Sequence, residues 1–171
     1  MKRITTLSFF MLFCWITAFA IPRAEYPRPQ FERNAWINLN GEWTYSFDFG
    51  GSGLEREWSK STGFDQKIIV PFCPESKLSG VEYKDFINHM WYHRTISIPQ
   101  DWANKQVLLN FGAVYYKSEI YIDGVFAARH FGGTSSFQVD ITPYVKAGQT
   151  HNLVVYVESD VPVSYTHLTL P

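Results

Sequence analysis

The segment Leu39-Asn-Gly-Glu-Trp-Thr-Tyr-Ser-Phe-Asp48 shows the pattern that decides the fold of this chain. After the turn signal Asn40-Gly41, the aromatic residues Trp43, Tyr45 and Phe47 alternate with polar residues. Successive side chains of a strand point to opposite faces, so this alternation predicts a strand with one buried face. The glycine-rich run 50–53 that follows predicts a loop.

Short segments of similar character recur along the rest of the chain, separated by glycine, proline and aspartate turns. Asp123-Gly124 is a strong signal for a two-residue hairpin turn. Helical periodicity is nearly absent, and only 142–147, with Pro143 near its start, indicates a helical turn. The other predicted strands are 67–70, 90–98, 106–111, 118–122, 125–130, 136–139 and 152–158. This pattern predicts an all-β fold, and we expect an antiparallel β-sandwich of jelly-roll type.

Length, composition and charge limit the classes of partner. The chain has 171 residues, 46% of them hydrophobic and 18% aromatic, with a formal net charge of −1. These values suit one domain with a hydrophobic core. Nucleic acids and anionic membrane surfaces are recognised by clustered positive charge, and the sequence contains no basic run. We therefore expect neither of these partners.

The N-terminal residues 1–20 have the pattern of a cleaved secretory signal peptide. Lys2 and Arg3 precede an apolar stretch, and Ala18-Phe19-Ala20 supplies small residues before a cleavage site. A retained membrane anchor is the alternative, but the apolar run 7–21 is shorter than the ~20 residues that span a bilayer. We expect a periplasmic or secreted protein with no membrane association after cleavage. Segment 21–35 contains several prolines and is predicted to be an extended lead-in.

Side chains that commonly carry catalysis or bind metals give no site in this sequence. After signal cleavage Cys73 is the remaining cysteine, and we expect it to fill apolar space rather than to act as a nucleophile. None of the five histidines has the spacing of a metal ligand. The aspartates fall mostly at turns and strand ends, where carboxylates cap the turn. We therefore predict no catalytic residue, no metal and no cofactor.

Aromatic residues are the remaining candidates for ligand binding, because Trp and Tyr rings combine an apolar face with a polar atom. The candidates for exposure are Trp91, Tyr92, Tyr115 and Tyr116. Aromatic side chains also fill sandwich cores, and we expect core positions for Trp43, Phe47, Trp91 and Phe111. For Tyr115 and Tyr116, which follow Gly112 in a loop or at a strand edge, both interpretations stay open.

Several segments resemble the N-terminal part of glycoside hydrolase family 2, the β-galactosidase, β-glucuronidase and β-mannosidase group. Their order and spacing match over roughly 29–162. Ile122-Asp-Gly124 is similar to the usual hairpin of that domain. The other similar segments are Leu39-Asn-Gly-Glu-Trp43, Val70-Pro-Phe-Cys-Pro-Glu-Ser-Lys-Leu-Ser-Gly80, Trp91-Tyr-His-Arg94, Phe111-Gly-Ala-Val114, and His130-Phe-Gly-Gly-Thr-Ser-Ser-Phe137 with Asp140-Ile-Thr142.

The resemblance implies that 36–162 is the family's N-terminal jelly-roll domain, which is galactose-binding-domain-like. In the family this domain packs against a downstream (β/α)8 barrel that carries both catalytic glutamates, and it shapes the entrance of the sugar pocket. Some members place a polar contact to the sugar, usually Asn or Asp, at the position of Tyr115. A second, acidic contact lies just past the last strand, where Asp160 stands. Glu75 and Arg94 are expected to be structural, in a strand-linking ion pair or a domain-interface contact.

The resemblance implies a glycan and the catalytic barrel as partners. Our leading hypothesis is the N-terminal sugar-binding or support domain of an exported family 2 glycosidase, inactive without its barrel. A free-standing carbohydrate-binding module and a purely structural sandwich are the alternatives. The end of the chain, 163–171, departs from the family pattern and resembles a read-through ending. We predict that 165–171 is disordered.

Overall fold

The computed structural model describes residues 21–25 and 33–159, and the backbone of 168–169. The predicted signal peptide, 1–20, lies outside the described residues, and so do Asp160 and most of the predicted tail. Of the lead-in, the carbonyl groups of Pro22 and Arg23 accept hydrogen bonds from the side chains of Asn40 and Asn38. Within the described parts, no helix is long and apolar enough to cross a membrane.

The described residues form an all-β, antiparallel sandwich, as the sequence predicts. Its larger layer is a six-stranded sheet with the strand order β2-β1-β3-β9-β6-β7. A second layer contains the pair β4-β8, and the short pair β5-β10 lies at one end. The strands are β1 Gly41–Phe47, β2 Gln66–Val70, β3 His89–Ser97, β4 Leu108–Phe111, β5 Ala113–Val114, β6 Lys117–Ile122, β7 Val125–Phe131, β8 Phe137–Asp140, β9 Thr150–Glu158 and β10 Leu168–Thr169.

Most of the predicted strands agree with the structure to within two residues. The Asp123-Gly124 hairpin is confirmed between β6 and β7, with positive φ angles of 49° and 81° at its two turn residues. The predicted helical turn is a 3₁₀ turn at Thr142–Tyr144. The sequence did not predict β5 or the 3₁₀ turns Trp58–Lys60, Lys77–Ser79 and Gln100–Trp102.

The backbone of β10 differs from the prediction of a disordered tail. Leu168 pairs with Val114 and Thr169 pairs with Ala113 in antiparallel register. The other residues of 163–171 lie outside the described part of the chain.

The hydrophobic core lies on the inner face of the six-stranded sheet, where it meets β4 and β8. Trp43 and Phe111 are buried there as predicted, and Phe47 packs against the same core. Tyr92, a candidate for exposure from the sequence, is instead 2% exposed and faces the core. On β3, residues at even numbers point inward, and Tyr92 stands between Met90 and the half-buried Arg94 in that row.

Arg94 is structural, as expected, but it acts on backbone oxygens. Its guanidinium donates to the carbonyl groups of Leu39, Asn40 and Glu42 at 2.8, 3.2 and 3.3 Å. These bonds fix the chain where it enters β1.

The outer face of the same sheet carries a second, smaller aromatic cluster. Trp91 is fully buried there against Tyr121, Val154 and Tyr156, beneath the half-buried rings of Trp58 and Phe64. The loop that covers this cluster is fixed by the buried carboxylate of Asp48. This carboxylate accepts hydrogen bonds from the backbone N–H groups of Ser52 and Gly53 and from the Trp91 indole.

Candidate functional site

The loop that carries Tyr115 lies at one end of the sandwich, between β4 and β6. Val114 is fully buried and fixes the loop to the core, while Tyr115 is half-buried and Tyr116 is exposed. The two tyrosine rings meet edge to face, with centroids 5.8 Å apart, and the peptide bond between them is cis.

Gly133 lies directly against the Tyr115 ring. A Cβ atom at Gly133 would stand 2.1 Å from Cδ2 of Tyr115, a distance that no side chain tolerates. Glycine is therefore required here so that the chain can approach the ring closely. Gly133, which follows β7, thus helps to position the Tyr115 ring.

Backbone hydrogen bonds join this loop to the end of β9. The N–H group of Tyr116 donates to the carbonyl group of Glu158 at 3.3 Å, and the N–H group of Gly132 donates to the carbonyl group of Tyr116 at 2.9 Å. Ser159, which directly precedes Asp160, donates its N–H to the carbonyl group of Asn88 at 2.8 Å. Tyr115 and the end of β9 are therefore neighbours. Asp160 itself lies outside the described residues.

A charged cluster stands beside this loop on the outer face of the sheet. The Lys117 ammonium contacts the Glu158 carboxylate and lies 3.7 Å from a carboxylate oxygen of Glu119. The Tyr156 hydroxyl donates to Glu158 at 3.2 Å and hydrogen-bonds Nδ1 of His89 at 2.8 Å. The His89 and Tyr156 rings stack with an interplanar angle of 12°.

Glu119 extends the cluster toward the sheet edge. This carboxylate is 4% exposed and accepts hydrogen bonds from the Tyr121 hydroxyl at 2.6 Å and from Nε of Arg129 at 2.9 Å. A second guanidinium nitrogen of Arg129, Nη2, lies 2.8 Å from the same oxygen, Oε1, so both nitrogens converge on one oxygen of Glu119. Burial and the hydrogen bond to Glu119 raise the pKa of Tyr121, against the opposing charge of Arg129.

The electrostatics of the cluster favour positioning over acid catalysis. Burial alone would raise the pKa of Glu158, but the hydrogen bond and charge of Lys117, with the Tyr156 hydroxyl, hold it below its usual range. A general acid of a glycosidase needs the opposite shift. Burial and the neighbouring Glu158 also raise the pKa of Tyr156.

The charged cluster was not predicted from the sequence, although a signal was present. Lys117, Glu119 and Tyr121 alternate along β6, and Tyr156 and Glu158 do so along β9. The antiparallel register then places Lys117 opposite Glu158 and Glu119 opposite Tyr156. Across the described residues, no group of three or more His, Cys, Asp or Glu side chains is arranged to hold a metal ion.

Exposed aromatic side chains surround this end of the sandwich. Tyr116 and Phe131 are exposed on the side of the Tyr115 loop, with ring centroids 6.3 Å apart. Phe49 and Phe86 are exposed near the start of β3. We call these four residues the aromatic rim.

Comparisons with known proteins identify the domain. The family model described as "Glycosyl hydrolases family 2, sugar binding domain" matches residues 37–167, which extends beyond the predicted domain end at 162 into the predicted tail. A β-glucuronidase of Felis catus is 30% identical over an alignment of 135 positions, which covers 72% of this chain and 20% of that protein. A β-galactosidase of Thermoanaerobacter pseudethanolicus is 27% identical over an alignment of 143 positions, which covers 74% of this chain and 18% of that protein.

The solved structures give the same result. The crystal structure of Ruminococcus gnavus β-glucuronidase matches with a TM-score of 0.65 and 26% identity, over 71% of this chain and 21% of that chain. The Lactobacillus rhamnosus β-glucuronidase matches with a TM-score of 0.64 over 72% of this chain and 21% of that chain. This chain spans about a fifth of the length of these relatives.

Proposed function

Because this chain belongs to glycoside hydrolase family 2, through the sugar binding domain of that family, we propose that it is the support domain of an exported retaining glycosidase. In this proposal the catalytic (β/α)8 barrel belongs to further residues of the same polypeptide. The observation that carries the proposal is the convergence of the Tyr115 loop and the end of β9, joined by the bond from Tyr116 N–H to the Glu158 carbonyl group.

Tyr115 forms part of the wall of the sugar pocket in this proposal. A tyrosine at this position offers a flat apolar face and one hydroxyl group, whereas Asn or Asp offers short polar atoms. Gly133 closes one side of the ring, so that the ring has a fixed orientation. We therefore propose that Tyr115 contacts the sugar mainly by packing, while Asp160 supplies an acidic contact.

The charged cluster holds this pocket wall in place and takes no part in bond cleavage. Lys117 connects Glu158 to Glu119, and Glu158 carries the backbone carbonyl that binds the Tyr115 loop. A retaining mechanism needs a nucleophilic carboxylate and a second carboxyl group with a raised pKa. The lowered pKa of Glu158 does not suit the acid, and its contacts with Lys117 and Tyr156 already occupy this carboxylate, so the proposal assigns both catalytic carboxylates to the barrel.

The aromatic rim is the proposed contact surface for the barrel. Phe49 and Phe131 are each 56% exposed, at the end of the sandwich where β9 ends, two residues before Asp160 in the sequence. Large apolar side chains grouped on a surface commonly mark an interface. Export through the predicted signal peptide completes the proposal and places the enzyme in the periplasm or outside the cell, where N-terminal sequencing of the mature protein should begin at Ile21.

Hydrolysis assays on two polypeptides test the proposal. One polypeptide is the 171-residue chain, and the other is the longer product of the same gene, read on beyond Pro171. Both would be assayed with 4-nitrophenyl β-D-glucuronide and 4-nitrophenyl β-D-galactoside. We expect turnover by the longer product alone. Hydrolysis by the 171-residue chain, or a longer product that binds sugar without cleaving it, would contradict the proposal.

The role of Tyr115 is tested in the longer enzyme by the Tyr115→Ala variant. Loss of one packed ring, about 1–1.5 kcal/mol, should raise KM about tenfold and change kcat much less. Tyr144→Phe, on the 3₁₀ turn Thr142–Tyr144, is the matched control and should leave KM unchanged. An unaltered KM in Tyr115→Ala would remove Tyr115 from the pocket wall.

A further inference from the structure

A groove of about 700 Å³ lies along the side of the sandwich, beside strand β4. Buried core residues such as Ile98 and Leu109 line its floor. Neither Tyr115 nor any residue of the charged cluster lines it. The volume is within the range of ~300–1,000 Å³ that small-molecule pockets occupy. The groove is therefore a candidate ligand site apart from the Tyr115 loop.

Two tryptophans form aromatic walls of this groove. Trp36 and Trp102 both line it, and both are half-buried. Trp102 packs against the hydrophobic core and belongs to the 3₁₀ turn Gln100–Trp102, so its ring is held in place. Fixed tryptophan rings suit ligands that have one apolar face and a polar edge, and a sugar ring is such a ligand.

A pair of amides lies at the edge of the groove and leaves polar atoms for a ligand. Asn110 on β4 and Gln138 on β8 are directly opposite in register, and Nε2 of Gln138 donates to Oδ1 of Asn110 at 2.7 Å. Both side chains are exposed. Within the described residues, this hydrogen bond to each other is the one that the two side chains make. The pair therefore presents one amide donor group and one acceptor, and it would do so with either assignment of the amide atoms. Hydroxyl groups of a sugar both donate and accept hydrogen bonds, so a donor and an acceptor side by side suit two neighbouring hydroxyl groups.

The charge of the groove is positive. Arg33 and Lys105 line it and are exposed, and no Asp or Glu side chain is among its described lining residues. The neighbouring carboxylate of Asp140 is already engaged by Gln106 at 2.8 Å and by the N–H group of Thr142 at 2.9 Å. Two cations without a lining carboxylate favour a ligand that carries negative charge.

We infer that this groove binds an acidic oligosaccharide, one whose sugar units carry carboxylates, between Trp36 and Trp102. The amide pair binds sugar hydroxyl groups, and Lys105 and Arg33 pair with the carboxylates. The site requires neither hydrolysis nor the Tyr115 loop, so it goes beyond the proposed function. Failure to hydrolyse glycosides would leave it standing, and failure to bind here would leave the proposed function standing.

Calorimetric titration of the 171-residue chain tests the inference. The probe is a tetrasaccharide of alternating glucuronic acid and N-acetylglucosamine, and its matched control is the same tetrasaccharide with each carboxyl group reduced to an alcohol. We expect saturable binding of the acidic probe that weakens as salt is added, and binding of the reduced probe at least threefold weaker. Equal affinity for the two probes would overturn the role of charge, and no binding of the acidic probe would overturn the site.

Variants locate the binding. Asn110→Ala combined with Gln138→Ala changes exposed side chains and should weaken binding of both probes about tenfold, since each lost hydrogen bond costs about 0.5–1.5 kcal/mol. Lys105→Gln should weaken binding of the acidic probe alone. Lys67→Gln, an exposed cation on β2, is the control and should change neither affinity. Unchanged binding in both groove variants would place the oligosaccharide elsewhere and overturn the inference.

Discussion

The two faces of the six-stranded sheet are built from the same strands but hold together in different ways. On the inner face, apolar side chains such as Phe111 and Ile120 pack by shape, so other apolar side chains of similar volume can replace them. On the outer face, Glu119 and Lys117 depend on particular partners at particular distances. We therefore expect the inner face to supply the larger share of the stability, and the outer face to supply the fixed geometry of the Tyr115 loop.

The largest expected effect comes from truncation of an inner-face ring. Phe111 is fully buried and stacks on Phe137 with ring centroids 4.7 Å apart. Phe111→Ala removes this packing and leaves a cavity, which should lower the free energy of unfolding by about 3–5 kcal/mol. Urea denaturation measures the loss. Phe131→Ala, an exposed ring of the aromatic rim, is the control and should change stability by about 0.5 kcal/mol or less. Similar losses in the two variants would show that packing on the inner face contributes no more to stability than an exposed ring does.

A smaller loss is expected on the outer face, from Glu119→Gln. The amide keeps the volume of the carboxylate, but it removes the charge that faces Arg129 and Lys117 and one acceptor oxygen. Because Glu119 is 4% exposed, we expect a loss of about 1–3 kcal/mol by denaturation.

Glu42→Gln is the matched control for this experiment. Glu42 also pairs with a lysine, Lys67, but its side chain is 55% exposed. Exposed ion pairs contribute about 0–1 kcal/mol, so this variant should be nearly neutral. If both substitutions cost the same, burial does not distinguish the outer-face cluster from an ordinary surface pair.

The contrast between the faces also explains how much the sequence could predict. The strand pattern and the Asp123-Gly124 hairpin depend on neighbouring residues, so local alternation and turn chemistry were enough. Tyr92 was misjudged because the whole stretch from Met90 to His93 is buried, one row on each face of the sheet, and alternation cannot then tell the faces apart.

The candidate site was predictable in part, through the family resemblance. Tyr115 was identified by its place after Phe111-Gly-Ala-Val114, and the structure brings it beside the end of β9. The pairing of Lys117 with Glu158 joins residues 41 positions apart and depends on the register of β6 against β9. Register is a tertiary property set by packing of both faces, and a single sequence does not display it.

The smallest expected effect is a loss of stability at acidic pH. It distinguishes the two faces, because it comes from a charged residue of the outer face and not from the apolar inner face. Desolvation opposes the shift, but Lys117 and Tyr156 hold the pKa of Glu158 below its ordinary value of 4.5. A carboxylate with a depressed folded-state pKa contributes stability above its unfolded pKa and loses this contribution as the pH falls through the folded value. The native chain should therefore lose stability on acidification below about pH 4.5 by more than Glu158→Gln does, with the two chains falling in parallel from pH 7 to pH 5.

Urea midpoints of the two chains, measured in steps from pH 7 to pH 3, would show this difference directly. Asp123 and Asp140 also have lowered pKa values and remain in both chains, so their contributions cancel in the comparison. The inner-face variant Phe111→Ala removes no titratable group and should retain the acid dependence of the native chain at every pH. If Glu158→Gln instead follows the native profile below pH 4.5, the carboxylate of Glu158 gains nothing from Lys117 on folding, and the cluster holds the Tyr115 loop through its backbone bonds alone.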